Sequence, residues 1–228
     1  MRIGITYNLK SDIPPSLRPG IPKDIVEEFD SPETIEAIRE VLAKEGYEIH
    51  LLGGDLSVLE KIKQLGIEFV FNLAEGFSGR NREAHMPALL EFLGVPYSSS
   101  DPLGLSATLD KSFAKRIAIS LGIPTPPFWV LDRKDDVRLV PDQFPLFVKP
   151  LWQGSSIGIK ISSRVEDGTQ LKKEVERSFE HCGGGPVLVE QYISGRELTV
   201  GIVGNALPEI LGVMEISFRD KERNDFCY

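Results

Sequence analysis

At 228 residues the chain is long enough to bury a substantial core and to form one or two domains. Its 41% hydrophobic and 26% charged residues are ordinary for a globular protein, and a net charge of −8 argues against the clustered basic surface that a nucleic acid or an anionic membrane requires. Two cysteines, Cys182 and Cys227, stand far apart and form neither a metal nor a redox motif, which points to a reducing compartment.

Met1-Arg-Ile-Gly-Ile-Thr-Tyr7 reads as a buried strand over residues 2–7 and not as a secretion signal. No apolar run approaches the roughly 18 residues of a membrane span, so a soluble, cytoplasmic protein is expected. A Pro-rich loop follows from Ile13 to Pro22, then the acids Glu27, Glu28 and Asp30. Ser31 is a predicted N-cap with Pro32 at the first helical position, and Ile35, Ile38, Val41 and Leu42 form the stripe of a helix ending at Gly46. Tyr47 to Leu52 and Glu68 to Leu73 are predicted strands around a helix from Leu56 to Leu65, and a third helix runs from about Arg82 to Leu93 with Pro87 near its first turn. Strand and helix alternate, which predicts an α/β unit with a small doubly wound parallel sheet. Ligands of such sheets lie beyond the carboxyl ends of the strands, making Tyr7-Asn8 and Asn72 to Gly79 candidate site loops.

A boundary is expected between Val95 and Pro102. Beyond it, Asp101 to Leu121 is predicted as one helix with Asp110 and Lys111 in its middle, broken by Gly122-Ile-Pro-Thr-Pro-Pro127. Phe128 to Leu131, Leu146 to Lys149 and Ile157 to Ile161 are predicted strands, and Leu171, Val175 and Phe179 mark an amphipathic helix ended by Gly183-Gly-Gly-Pro186. Ala206 to Ser217 is a last predicted strand and Asp220 to Asp225 a charged loop.

The stretch Gly185 to Val200 is the most informative. Alternation puts Leu188, Glu190 and Tyr192 on one face of a strand and Val187, Val189 and Gln191 on the other. An unpaired carboxylate between two large side chains would be costly to bury. After a turn at Ser194-Gly195 the pattern resumes, with Glu197, Thr199 and Gly201 opposite Leu198, Val200 and Ile202. Two acids straddling a turn, with Lys149 closing the apolar run Phe144 to Val148, suit a ligand with hydroxyl and amino edges and phosphates, which is a nucleotide. Other nucleotide signatures are absent: no Walker motif and no Gly-x-Gly-x-x-Gly follows a strand. His50, His85 and His181 are isolated in sequence, so neither zinc chemistry nor a serine or cysteine triad has parts.

Lys149 in Val-Lys-Pro, the loop Gln153-Gly-Ser-Ser-Ile-Gly158 and Val189-Glu-Gln-Tyr-Ile-Ser-Gly-Arg-Glu197 together resemble the ATP-binding core of the ATP-grasp ligases, most closely the D-alanine–D-alanine ligases. Gly94-Val-Pro-Tyr-Ser-Ser-Ser100, Leu109-Asp-Lys-Ser-Phe-Ala-Lys115 and Leu121-Gly-Ile-Pro-Thr-Pro126 support the resemblance, which runs in order from about Glu68 to Gly204. It implies a doubly wound domain at 1–97, an α+β small ATP-grasp domain at 98–189 and the start of a C-terminal ATP-grasp domain at 190–228. It further implies ATP and Mg2+, with Lys111 and Lys149 on the phosphates and the loop bearing Ser155 and Ser156 as a mobile, catalytic cover over them. Glu190 would meet the adenine edge, the backbone of Gln191 and Ile193 would read the base, and Glu197 would accept from the ribose hydroxyls. Small-molecule substrates, amino acids with D-alanine among them, and a homodimer are implied in the same way.

Three departures bear on this expectation. Trp152 and Gln153 replace the charged residues common before the Gly-Ser-Ser loop. The early His-Gly-Gly…Ser…Glu signature that holds the first D-alanine is missing after Tyr7, where the Pro-rich loop stands and Glu27 or Glu28 is the available substitute; substrate contacts are also expected within Glu75 to Glu83. The magnesium ligands of the resemblance are expected beyond residue 228, so none is assigned here. A ligase for another amino acid or peptide, or a nucleotide-binding module without ligase activity, remain alternative readings.

Overall fold

A computed structural model describes residues 1–13, 24 and 28–217. The predicted Pro-rich loop beyond Ile13, Glu27, the charged loop from Asp220 to Asp225 and Cys227 lie outside the described residues. Strands β1 (Arg2–Thr6), β2 (Glu48–Leu51) and β3 (Phe69–Asn72) form a parallel sheet in the order β2-β1-β3. Ile5 faces Leu51 on one side and Phe71 on the other, and its central place buries it completely. Parallel neighbours need long crossovers, supplied here by α1 (Pro32–Lys44) and α2 (Val58–Leu65).

Ser31 caps α1 by accepting from the Thr34 N–H at 3.3 Å, with Pro32 inside the first turn. Val41, expected in the apolar stripe, is 59% exposed while Ile35 is buried. Six residues after Ile35, it points about 120° away around a helix of 3.6 residues per turn. The helix predicted from Arg82 begins as a 3-10 turn over Arg82–Ala84, and α3 proper covers His85–Leu93. Pro87 sits in its first turn, where its missing N–H leaves no helical bond unmade.

The single helix expected over Asp101 to Leu121 is two, α4 (Pro102–Leu109) and α5 (Lys111–Ser120). Asp110 adopts φ −81°, ψ 96° and caps α5 by accepting from the Ser112 and Phe113 N–H groups. An aspartate competing for local backbone donors ends one helix and starts the next.

Strands β4 (Phe128–Leu131), β5 (Leu146–Pro150), β6 (Arg164–Val165) and β7 (Val187–Gln191) form an antiparallel sheet in the order β4-β7-β5-β6. Helix α6 (Gly168–His181) lays Leu171, Val175 and Phe179 against Leu146, Val148, Val187 and Val189. The strand predicted over Ile157 to Ile161 is a turn followed by a 3-10 stretch over Ile161–Ser163, with β6 starting only at Arg164. Ser155, Ser156 and Gly158 all have φ between 46° and 75°, a left-handed path that no extended strand follows. Strands β8 (Glu197–Val203) and β9 (Glu209–Ile216) pair as an antiparallel hairpin whose residues are all exposed. The strand expected from Ala206 begins at Glu209, because Asn205 to Leu207 make the connecting bend.

Candidate functional site

The side-chain parity of β5 and β7 builds the first part of the site. Val148 and Val189 point into the core, so Lys149 and Glu190 point out of the opposite face. The antiparallel register sets Lys149 across from Leu188 and Phe147 across from Glu190, making Lys149 and Glu190 diagonal neighbours. Lys149 Nζ reaches Glu190 Oε1 at 2.5 Å. Lys115 Nζ, one helical turn beyond Lys111 on α5, reaches Glu190 Oε2 at 2.7 Å. The carboxylate is only 9% exposed, and the two ammoniums offset the charge that burial would leave uncompensated. Lys115 also donates to Thr125 Oγ1 at 2.8 Å and lies 5.3 Å from the Phe128 ring centre.

A cleft of about 320 Å³ opens over this pair, lined by Lys149, Glu190, Gln191, Ile193 and Glu197, with Phe147 and Tyr192 as apolar wall. Strand β5 and the connection from β7 to β8 therefore bring five of the eight sequence-selected residues to one surface. The Gln191 N–H is already donated to Pro127 O at 2.9 Å, so only its carbonyl could serve a base. The Ile193 N–H has no partner among the described residues, and its side chain is exposed.

Three selected residues lie elsewhere. Lys111 is turned to the main chain ahead of the glycine loop, donating to Leu151 O at 3.3 Å and to Gln153 O. Burial, and then the positive charges of Lys149 and Arg82, push its ammonium down to about 8. Ser155 and Ser156 are exposed and do not line the cleft; Ile159, just after them, does. Their loop is anchored by buried Ile157 and by Gly158, whose N–H donates to Asp24 Oδ2 at 3.0 Å and whose carbonyl accepts from Arg177 at 2.8 Å.

Sequence reasoning missed Lys115, although the i, i+4 spacing from Lys111 in Lys111-Ser-Phe-Ala-Lys115 puts both on one helical face. It also missed Arg82, which is 5% exposed and donates to Trp152 O at 2.7 Å and to both oxygens of Glu28 at 2.8 and 2.9 Å. Glu28, one of the two residues considered for a substrate ammonium, is thus ion-paired in this structure. Glu75 and Glu83 gather beside it, with one carboxylate atom of each within 4.8 Å of the others. Burial, then the charges of Glu83 and Glu28, push the Glu75 carboxyl up to about 7. Cys182 is the one free cysteine among the described residues, and burial pushes its thiol up to about 11, away from nucleophilic chemistry. No helix among the described residues is long and apolar enough to cross a membrane.

The chain as a whole has counterparts among known proteins. The family described as D-ala D-ala ligase C-terminus matches residues 117–226. Over 184 residues the chain is 36% identical to the D-alanine–D-alanine ligase of Bordetella pertussis, covering 79% of this chain and 56% of that protein. It is 35% identical over 189 residues to y4sG, an uncharacterized protein of Sinorhizobium fredii, covering 78% of this chain and 54% of that one. The solved D-alanyl-alanine synthetase A of Vibrio cholerae superposes with a TM-score of 0.67 over 97% of this chain and 68% of its own, at 19% identity, a likeness of fold. The chain thus has the ATP-grasp fold, entered through a parallel-sheet unit. Within that class it is a relative of the D-alanine–D-alanine ligases, and it spans about half the length of the curated relatives it matches.

Proposed function

We propose that this chain carries the nucleotide-binding part of an ATP-dependent carboxylate–amine ligase of the D-alanine–D-alanine ligase type, built from units at 1–97, 98–189 and 190–228. The observation that carries the reading is the convergence of Lys149, Glu190, Gln191, Ile193 and Glu197 on one cleft. A purine would lie against Phe147 and Tyr192, with the Ile193 N–H and the Gln191 carbonyl at its edge and Glu197 at the ribose. Lys149 would point to the phosphates as a compact cation. Lys111, which feels the charges of Lys149 and Glu190, and the loop of Ser155 and Ser156 would act on the phosphates from beside the cleft.

ATP supplies the γ-phosphoryl group to a substrate carboxylate, and the resulting acyl phosphate is attacked by an amine. The carbon–nitrogen bond forms as the carbon–oxygen bond to phosphate breaks, releasing phosphate and ADP. Positioning and charge neutralisation are what this chain contributes to such a step. Magnesium, which the family relation implies, takes a shell of oxygen ligands. The cleft's lining acids do not fit it: Glu190 is engaged by two ammoniums, leaving Glu197 alone. Lys149 and Lys111 would therefore be the cations that neutralise the phosphates. The substrates would be amino acids or small peptides, D-alanine among them, and the enzyme would be a cytoplasmic homodimer by family relation.

A thermal-shift titration with ATP and ADP tests the reading. A ligand that binds only the native state stabilises it by about 2.7 kcal/mol at one hundred times its Kd. The expected result is a rise in Tm that is lost in Lys149→Ala and retained in Arg39→Ala, an exposed surface control. No rise at millimolar nucleotide sinks the proposal.

A further inference from the structure

The order β2-β1-β3 makes the chain leave β1 in one direction toward β2 and cross back over it to β3, so the loops after β1 and β3 diverge. A crevice forms at such a point. Here it is a cavity of about 530 Å³, within the range of small-molecule sites, and it shares no lining residue with the Lys149–Glu190 cleft. Its apolar wall is Leu56, Ala74, Phe77, Met86 and Leu89, from the segment after β2, the loop after β3 and one face of α3.

Polar groups converge on it from the other side. Asn8, 2% exposed, accepts from the Gly76 N–H at 2.9 Å, while its side-chain amide nitrogen donates to nothing among the described residues. Gly54 permits this close packing, since a Cβ there would lie 2.4 Å from that nitrogen and 2.6 Å from Tyr7 O. Asp12 and Asp55 also line the cavity. Asp12 accepts from the Leu9 N–H and the Ser11 hydroxyl, and Asp55 from the Ser57 N–H at 2.7 Å. Hydrogen bonds from Ser57 hold the Asp55 carboxyl below its usual range, so it is a carboxylate at neutral pH.

The nearby cations are already engaged. Arg82 gives its guanidinium to Trp152 O and Glu28, and Lys61, which approaches Gly53, donates to Leu52 O at 2.7 Å. His85 is the remaining titratable group on the lining. Two carboxylates beside an apolar wall select a ligand with an apolar body and a single positive charge.

We propose that this cavity is a second small-molecule site, specific for amphipathic monoamines with an aromatic or branched apolar body. It is independent of the nucleotide reading. The ammonium meets Asp12 and Asp55 at the mouth, Asn8 donates to a polar atom of the ligand, and the body lies against Phe77, Met86 and Leu89.

The test uses 2-phenylethylamine against 3-phenylpropionate, which keeps the ring and reverses the charge, titrated into the whole chain and followed by ligand-observed NMR and calorimetry. The expected result is saturable amine binding, with the acid at least about fivefold weaker and Asp55→Asn reducing amine affinity by about fivefold, the scale of a partly exposed ion pair. Leu89→Trp, which fills the apolar wall from a half-exposed position on α3, should abolish binding. Should it fail to fold, Asp55→Asn still decides the matter from the surface. Equal binding of amine and acid, binding that survives both variants, or no saturable binding of the amine overturns the proposal.

Discussion

Glu190→Gln is the perturbation that reaches deepest into the candidate site. The carboxylate, nine-tenths buried, sits 2.5 Å from Lys149 and 2.7 Å from Lys115. Glutamine keeps the volume and one acceptor but leaves two ammoniums facing each other with no counter-charge. Removing one member of a buried ion pair typically destabilises by about 3–5 kcal/mol. The residual exposure of the lysine side chains, 12% and 20%, places this case near the lower end, about 3 kcal/mol. In a protein of this size that lowers Tm by roughly 6–12 °C. Calorimetry or urea unfolding measures it, and the double variant Lys115→Met with Glu190→Gln should recover part of the loss, because the two residues share one interaction. ATP should stabilise the Glu190→Gln protein by more degrees than the parent if its phosphates pair with the released Lys149. A change within about 0.5 kcal/mol, the range of ordinary surface substitutions, would refute the claim that this carboxylate is held by two cations.

Glu75 gives a pH-dependent prediction. Its folded-state pKa is raised from 4.5 to about 7, so the native state binds the proton more tightly and stability falls as pH rises through that window. At about 1.36 kcal/mol per unit the full effect is about 3 kcal/mol, which solvent screening at a half-buried site reduces to about 1–2. Urea unfolding of Glu75→Gln between pH 5 and pH 8 should lack this slope. Lys111 runs the other way: its pKa is lowered to about 8, and bound phosphates would restore the charge. ATP binding at pH 8.5 should therefore take up protons, which calorimetry in buffers of different ionisation enthalpy detects, and Lys111→Met should abolish the uptake. Gly158→Ala places a Cβ 2.7 Å from Pro150 Cγ and 2.8 Å from His181 at φ 75°. It should destabilise the loop by at least about 1–2 kcal/mol, the strain of a left-handed alanine, and speed its cleavage in limited proteolysis.

What was legible in the sequence follows from the range over which each interaction acts. Side-chain alternation is local, so the two faces of β7 were readable, and Glu190 and Glu197 straddling one turn, with Lys149 closing a separate apolar run, already suggested one ligand among them. Strand register is not local. That Lys149 lies diagonal to Glu190 depends on how the two strands pair, and that Lys115 completes the triad depends on how α5 packs against them. Arg82 and Glu28 are 54 positions apart and no periodicity links them; only the folded chain shows that the acid considered for a substrate is held by an arginine. Two of the local departures have one origin. Asp110 and the run Ser155-Ser156 are polar residues whose backbone leaves the regular path, one by capping a helix and the other by entering the left-handed region. Apolar periodicity is blind to both, because it registers which residues are buried and not which backbone donors a short polar side chain can take. These departures fall beside Lys111 and in the glycine loop, where the proposed function needs backbone groups turned away from regular hydrogen bonding. Irregularity at such positions marks the candidate site as much as the regular pairing of the sheet does, since a regular strand or helix there would have consumed the amides that a phosphate must meet.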